Sequence, residues 1–152
     1  MTNSTLFKLI STVGFIGYIP FAPGTFGTLA AVGFFFILKP SLPLQIALAV
    51  FFVVTGIVSS TRAEKVFNKK DPGCVVIDEF AGYLISVLFL PVNPSYLIAA
   101  FFLFRIFDII KPPPIRRLEK IGGGFGIMAD DIMAAAYTNA VLQIWRFVSV
   151  WI

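Results

Sequence analysis

The chain has 152 residues, of which 58% are hydrophobic and only 13% charged, with a net charge of +4. A soluble domain carries about 25% charged residues, and a chain this short leaves much of its surface outside any core. Part of that surface must face lipid, and because acids interleave with the basic residues, an anionic membrane surface or phosphate is a better partner than nucleic acid.

The length fits one domain over 1–152. Cys74 is the single cysteine, so no intrachain disulfide framework exists, and there is no histidine. The first apolar stretch, Leu6–Ile19, is broken by Gly14 and Gly17 and reads as interfacial. It lacks the pattern of a removable signal peptide. Five further apolar stretches follow: Phe26–Leu38, Leu42–Ser60, Phe80–Leu90, Tyr96–Ile110 and Ile132–Ile152. A bilayer-spanning helix needs about 20 residues. The second and fifth stretches meet that length, and the other three are short unless their flanks are helical too. The expected architecture is all-α: a polytopic helical membrane protein with four to five membrane-embedded helices. Pro112, Pro113 and Pro114 are expected to form a stiff, extended stop after the fourth stretch.

Charge placement orients these helices. Segments 61–79 and 105–131 hold 17 of the 20 charged residues and every acidic one. Alternating helices put both segments on one side, and the positive-inside rule makes that side cytoplasmic. Of the remaining three, Arg146 lies about 22 Å along its helix from Asp131 and is placed to snorkel to the outer interface. Lys8 and Lys39 read as interfacial lysines.

The acids come as two adjacent pairs, Asp78-Glu79 and Asp130-Asp131, expected to open the third and fifth helices. Helix capping would account for one acid per helix. Two apiece at one membrane face repel, by about 4 kcal/mol for charges 4 Å apart at an effective dielectric of 20. A shared cation relieves this, so metal ligation by Asp78, Glu79, Asp130 and Asp131 is the favoured reading. Arg105, Asp108 and Lys111 follow at i, i+3 spacing. A helix-end ion pair is the structural alternative, but charges in an otherwise apolar helix point to function. The run Pro20–Thr28, with Gly24, Thr25 and Thr28, and the run Gly122–Gly126 could each bare backbone amides to an anion, or be flexible turns. Lys69, Lys70, Arg116, Arg117 and Lys120 form a solvated, headgroup-facing surface.

The absences narrow the chemistry. Without histidine there is no phosphohistidine intermediate and no histidine-bearing zinc site. Phe80 stands six residues after Cys74, where a cysteine phosphatase loop needs arginine. An all-oxygen ligand set suits a hard cation such as Mg2+.

Taken together, Pro23-Gly24-Thr25-Phe26-Gly27-Thr28-Leu29-Ala30, Val76-Ile77-Asp78-Glu79 with Gly82, Phe104-Arg105-Ile106-Phe107-Asp108, Lys111-Pro112, Pro114-Ile115-Arg116, and Gly123-Gly124-Phe125-Gly126-Ile127-Met128 with Asp130-Asp131 resemble the phosphatidylglycerophosphatase A family. The resemblance runs over residues 17–136. It implies a Mg2+-dependent enzyme of the bacterial cytoplasmic membrane that hydrolyses phosphatidylglycerophosphate to phosphatidylglycerol and inorganic phosphate. It also implies catalytic roles for Asp78, Glu79, Arg105, Asp108, Lys111, Asp130 and Asp131. Members of the family carry histidine in the linker where this chain has 68–74 without one.

On this reading the acids hold the metal and Arg105 and Lys111 clamp the phosphate, with Gly24, Thr25, Thr28 and Arg116 as further substrate contacts. Asp108 orients Arg105 or acts as general base. Attack by water and a covalent aspartyl phosphate both remain open. A homodimer is compatible with the sequence. Two alternatives stand beside this reading: a CDP-alcohol phosphotransferase, whose long aspartate signature is absent, and an ion or proton transporter, which should place acids at mid-membrane.

Overall fold

The computed structural model describes residues 3–118 and 120–149, and Glu119 lies outside them. Seven α-helices are found there: α1 (Asn3–Ser11), α2 (Pro23–Leu38), α3 (Leu42–Phe67), α4 (Ile77–Ser86), α5 (Pro94–Ile110), α6 (Ile115–Leu118) and α7 (Gly123–Ser149). Among the described residues there is no strand.

Each of the five apolar stretches lies in a helix over most of its described length, the third only as far as Ser86. Among the described residues, α3, at 26 residues, is the one helix both long and apolar enough by itself to cross a membrane, and just 22% of its apolar window is buried, unlike the core helix of a soluble protein. The other helices do not reach that measure by length and composition alone. Among the five the shortfall is largest at α4, whose 10 residues extend about 15 Å at 1.5 Å per residue.

α4 is the centre of the molecule, packed against α2, α3, α5 and α7. Its Phe80 ring lies 4.7 Å from that of Phe52 on α3 and 5.6 Å from that of Phe34 on α2, centroid to centroid. Tyr83 Oη donates to the Leu97 carbonyl of α5 at 3.0 Å. Beyond Ser86 the chain is not a regular helix, yet Val87 and Leu90 remain buried. Irregular backbone needs hydrogen-bond partners, and α7 supplies them. Arg146 Nη1 donates to the Phe89 carbonyl at 2.7 Å, so this arginine caps backbone near the end of α7.

Three local expectations are corrected. The acids Asp130 and Asp131 do not open a helix, because α7 starts at Gly123 and carries them two turns inside. The run Gly122–Gly126 is largely the first turn of α7, not an anion loop. Gly124 is there for packing: its N–H donates to Thr61 Oγ1 of α3 at 3.1 Å, and a Cβ would stand 2.1 Å from the Ile57 carbonyl oxygen. The prolines after α5 form a turn leading into α6, with Pro113–Pro114 cis, in place of an extended stop.

Candidate active site

Four segments converge at the charged end of the bundle. Pro23 starts α2, preset by its fixed φ for the first helical position, and brings Gly24 into the first turn. α4 offers Asp78 and Glu79 in its own first turn. α5 contributes Arg105 and Asp108, then stops at Lys111, which takes a left-handed conformation with φ 48° as the helix C-cap. α7 contributes Asp130 and Asp131. Together with Ala22, Asp71, Gly73, Val75 and Ile127 these residues line a cavity of about 270 Å3.

One carboxylate oxygen from each of Asp78, Glu79 and Asp131 lies within 4.8 Å of the other two. Asp78 and Asp131 are buried and Glu79 is half-buried. Asp78 Oδ1, Glu79 Oε2 and Asp131 Oδ2 are buried without a hydrogen-bond partner. Native interiors rarely leave such atoms unpaired, and three in one cluster, with Arg105 Nε also unpartnered beside them, mark a place able to accept a charged group. The donor set is all oxygen, which fits a hard divalent cation.

The basic residues form the wall beside this triad. Arg105 Nη1 is 2.8 Å from Asp108 Oδ2 and 3.7 Å from Glu79 Oε1, and it donates to Thr28 Oγ1 at 3.5 Å. Thr28 is itself fixed by donating to the Gly24 carbonyl at 2.9 Å. A Cβ on Gly24 would stand 1.9 Å from Glu79 Oε1, so a side chain there would force the Glu79 carboxylate to move. Lys111 Nζ binds Asp130 Oδ2 at 2.7 Å. Six carboxylates (Asp71, Asp78, Glu79, Asp108, Asp130 and Asp131) thus line one small cavity with two cations, Arg105 and Lys111.

All seven expected catalytic residues meet at this cavity, and so does Gly24. Asp130 stands apart from the carboxylate triad because it is paired with Lys111. Thr28 is buried behind Arg105. Thr25 and Arg116 do not line the cavity, and Arg116 is exposed on α6. Asp71, which carried no expected role, stands exposed on the cavity wall. No local pattern marks it. It arrives there because the linker after α3 folds back, with the Asp71 N–H donating to Glu64 Oε1 at 3.1 Å.

The family model for Phosphatidylglycerophosphatase A matches residues 9–146, which include every residue of this cavity. The chain belongs to the phosphatidylglycerophosphatase A family. It is 38% identical over 135 residues to "Phosphatidylglycerophosphatase A" of Escherichia coli, covering 86% of this chain and 78% of that protein. It is 40% identical over 162 residues to the Haemophilus influenzae protein of the same name, covering 95% of this chain and 99% of the other. A Bacteroides thetaiotaomicron protein named "Putative phosphatidylinositol-3-phosphatase" is 40% identical over 149 residues, covering 92% of this chain and 93% of its own. No solved structure matches the chain significantly.

Proposed function

We propose that this protein is a Mg2+-dependent lipid phosphatase that hydrolyses phosphatidylglycerophosphate to phosphatidylglycerol and inorganic phosphate. The observation that carries the proposal is the buried triad of unpartnered carboxylate oxygens with Arg105 and Lys111 beside it. The substrate follows from the family and from two relatives that bear its name. The Bacteroides relative carries a phosphoinositide name, and both lipids present a phosphomonoester on a membrane anchor. The alternatives of a CDP-alcohol phosphotransferase and a transporter lose ground to the family match and to acids gathered at one end of the bundle.

In this reading Asp78, Glu79 and Asp131 hold the cation. A bound divalent cation would neutralise charge, polarise the phosphoryl group and favour a nucleophilic water. Arg105 and Lys111 bind the nonbridging phosphoryl oxygens, and their attraction strengthens as charge develops in transfer. Asp108 keeps the Arg105 guanidinium aimed at the cavity, and Asp130 does the same for the Lys111 ammonium. Asp108, held by Arg105 at 2.8 Å, is also the candidate to accept the water proton. Attack by a triad carboxylate through an aspartyl phosphate is the rival route. Configuration at a chirally labelled phosphoryl group would distinguish it, because one direct displacement by water inverts phosphorus and two successive displacements retain it.

The protein is proposed to lie in the bacterial cytoplasmic membrane as a multi-pass protein with its charged end inside. α2, α3, α5 and α7 cross as helices, and residues 77–93 cross as α4 followed by its unwound continuation. The deciding assay measures phosphate released by the purified protein from phosphatidylglycerophosphate, phosphatidylinositol 3-phosphate and phosphatidic acid, with and without Mg2+. Release from the first lipid, dependent on Mg2+, is expected, and no release from any of them refutes the proposal.

A further inference from the structure

The carboxylate triad is split between two helices, with Asp78 and Glu79 on α4 and Asp131 on α7. It exists only while those helices keep one axial register. Asp131 stands beside Asp78, and eight residues further along each helix Asn139 stands beside Ser86, so the two run in the same direction. Eight residues at 1.5 Å each put both rungs about 12 Å apart on either helix.

The second rung is polar. Asn139 Nδ2 donates to the carbonyls of Leu88 at 2.8 Å and Ser86 at 3.0 Å, with a longer contact of 3.4 Å to Ile85. Gln143 Nε2 adds a bond to the Leu88 carbonyl at 3.1 Å. The last carbonyls of any helix lack partners within it, and an amide offers two N–H groups to fill that need. The other α4–α7 contacts, such as Ile77 and Ala81 against Ile127 and Met128, are apolar and set no direction along the axis, while Phe80 packs on α2 and α3 and Tyr83 bonds to α5.

We propose that Asn139 is a positioning residue for the carboxylate triad, its amide locking α4 to α7 in the register that brings Asp78 and Glu79 to Asp131. The inference rests on the reading of that triad as a cation site. A slip of one residue moves the ligands by about 1.5 Å along the axis. Mg2+ demands near-ideal octahedral geometry at about 2.0–2.1 Å, so such a slip removes a ligand. Asn139 thereby sets cation affinity from a full two turns beyond the site.

The test compares full-length wild type, Asn139→Leu and Gln143→Leu in detergent, following the rise in melting temperature on titration with Mg2+ alone. Loss of a group bonded directly to a metal ligand costs about 10–100-fold in metal affinity, and Asn139, acting through helix register, should fall at the low end of that range. Asn139→Leu should therefore shift the Mg2+ midpoint upward by about tenfold, with phosphate release partly restored at high Mg2+. Gln143→Leu, which leaves the Asn139 rung in place, should shift it far less. A purely structural role would lower the melting temperature of Asn139→Leu and leave its Mg2+ midpoint at the wild-type value, and that result overturns the proposal. Should Asn139→Leu not fold, Asn139→Ser keeps one donor at shorter reach: an intermediate midpoint supports the proposal and a wild-type midpoint overturns it. If wild type itself shows neither a Mg2+-induced shift nor phosphate release, the cation reading beneath this inference has failed instead.

Discussion

Lys111 Nζ lies 2.7 Å from Asp130 Oδ2, joining the end of α5 to a point two turns inside α7. The pair gives Lys111 a fixed place over the cavity, and it leaves Asp131 alone to join Asp78 and Glu79. The adjacent aspartates should consequently be unequal. Asp131→Asn should abolish Mg2+-induced stabilisation and cut phosphate release by orders of magnitude. Asp130→Asn should retain Mg2+ binding while losing turnover, because a neutral amide holds the Lys111 ammonium less firmly. Equal Mg2+ midpoints in the two variants would contradict this division of labour.

Arg105 makes its contacts to Asp108, Glu79 and Thr28 through one guanidinium nitrogen, Nη1. A lysine can replace the charge but not the planar fork that faces both carboxylates and phosphate. Arg105→Lys should purify normally and lose at least about 100-fold in kcat/KM, equivalent to about 2.7 kcal/mol of transition-state binding. Near-normal turnover would reduce Arg105 to a structural partner of Asp108.

A side chain at Gly24 should disturb the triad. The Cβ of Gly24→Ala would overlap Glu79 Oε1, displacing a triad carboxylate toward Arg105. Overpacking of this kind costs about 1–3 kcal/mol of stability. The sharper expectation is functional: the variant should need more Mg2+ for half-maximal phosphate release, and an unchanged Mg2+ requirement would argue against Glu79 as a ligand.

The orientation is open to a direct test. Lys70 and Lys120 are exposed at the charged end of the bundle. In a Cys74→Ser background, cysteines introduced at either position should resist impermeant thiol reagents in intact cells and react once the membrane is opened. Ready labelling from outside would invert the topology and the placement of the cavity with it.

Much of this protein could be read from order and composition alone. Apolar runs such as Leu42–Ser60 become helices because the 3.6-residue pattern and helix-breaking prolines act locally. The gathering of Asp78, Glu79, Arg105, Asp108, Lys111, Asp130 and Asp131 at one end follows from the cost of submerging charge. Tertiary structure decided what those local rules leave open. Neighbours on a helix point about 100° apart, so one packing contact turned Asp130 to Lys111 and Asp131 to the triad. The glycines at 122–126 are permissive toward loop and helix alike, and the closeness of α3 at Thr61 made them a helix. α4 could end after 10 residues because Asn139, Gln143 and Arg146, more than 50 positions later in the chain, satisfy the carbonyls beyond it. Each of these outcomes depends on a partner distant in sequence, and no local periodicity encodes where that partner will stand.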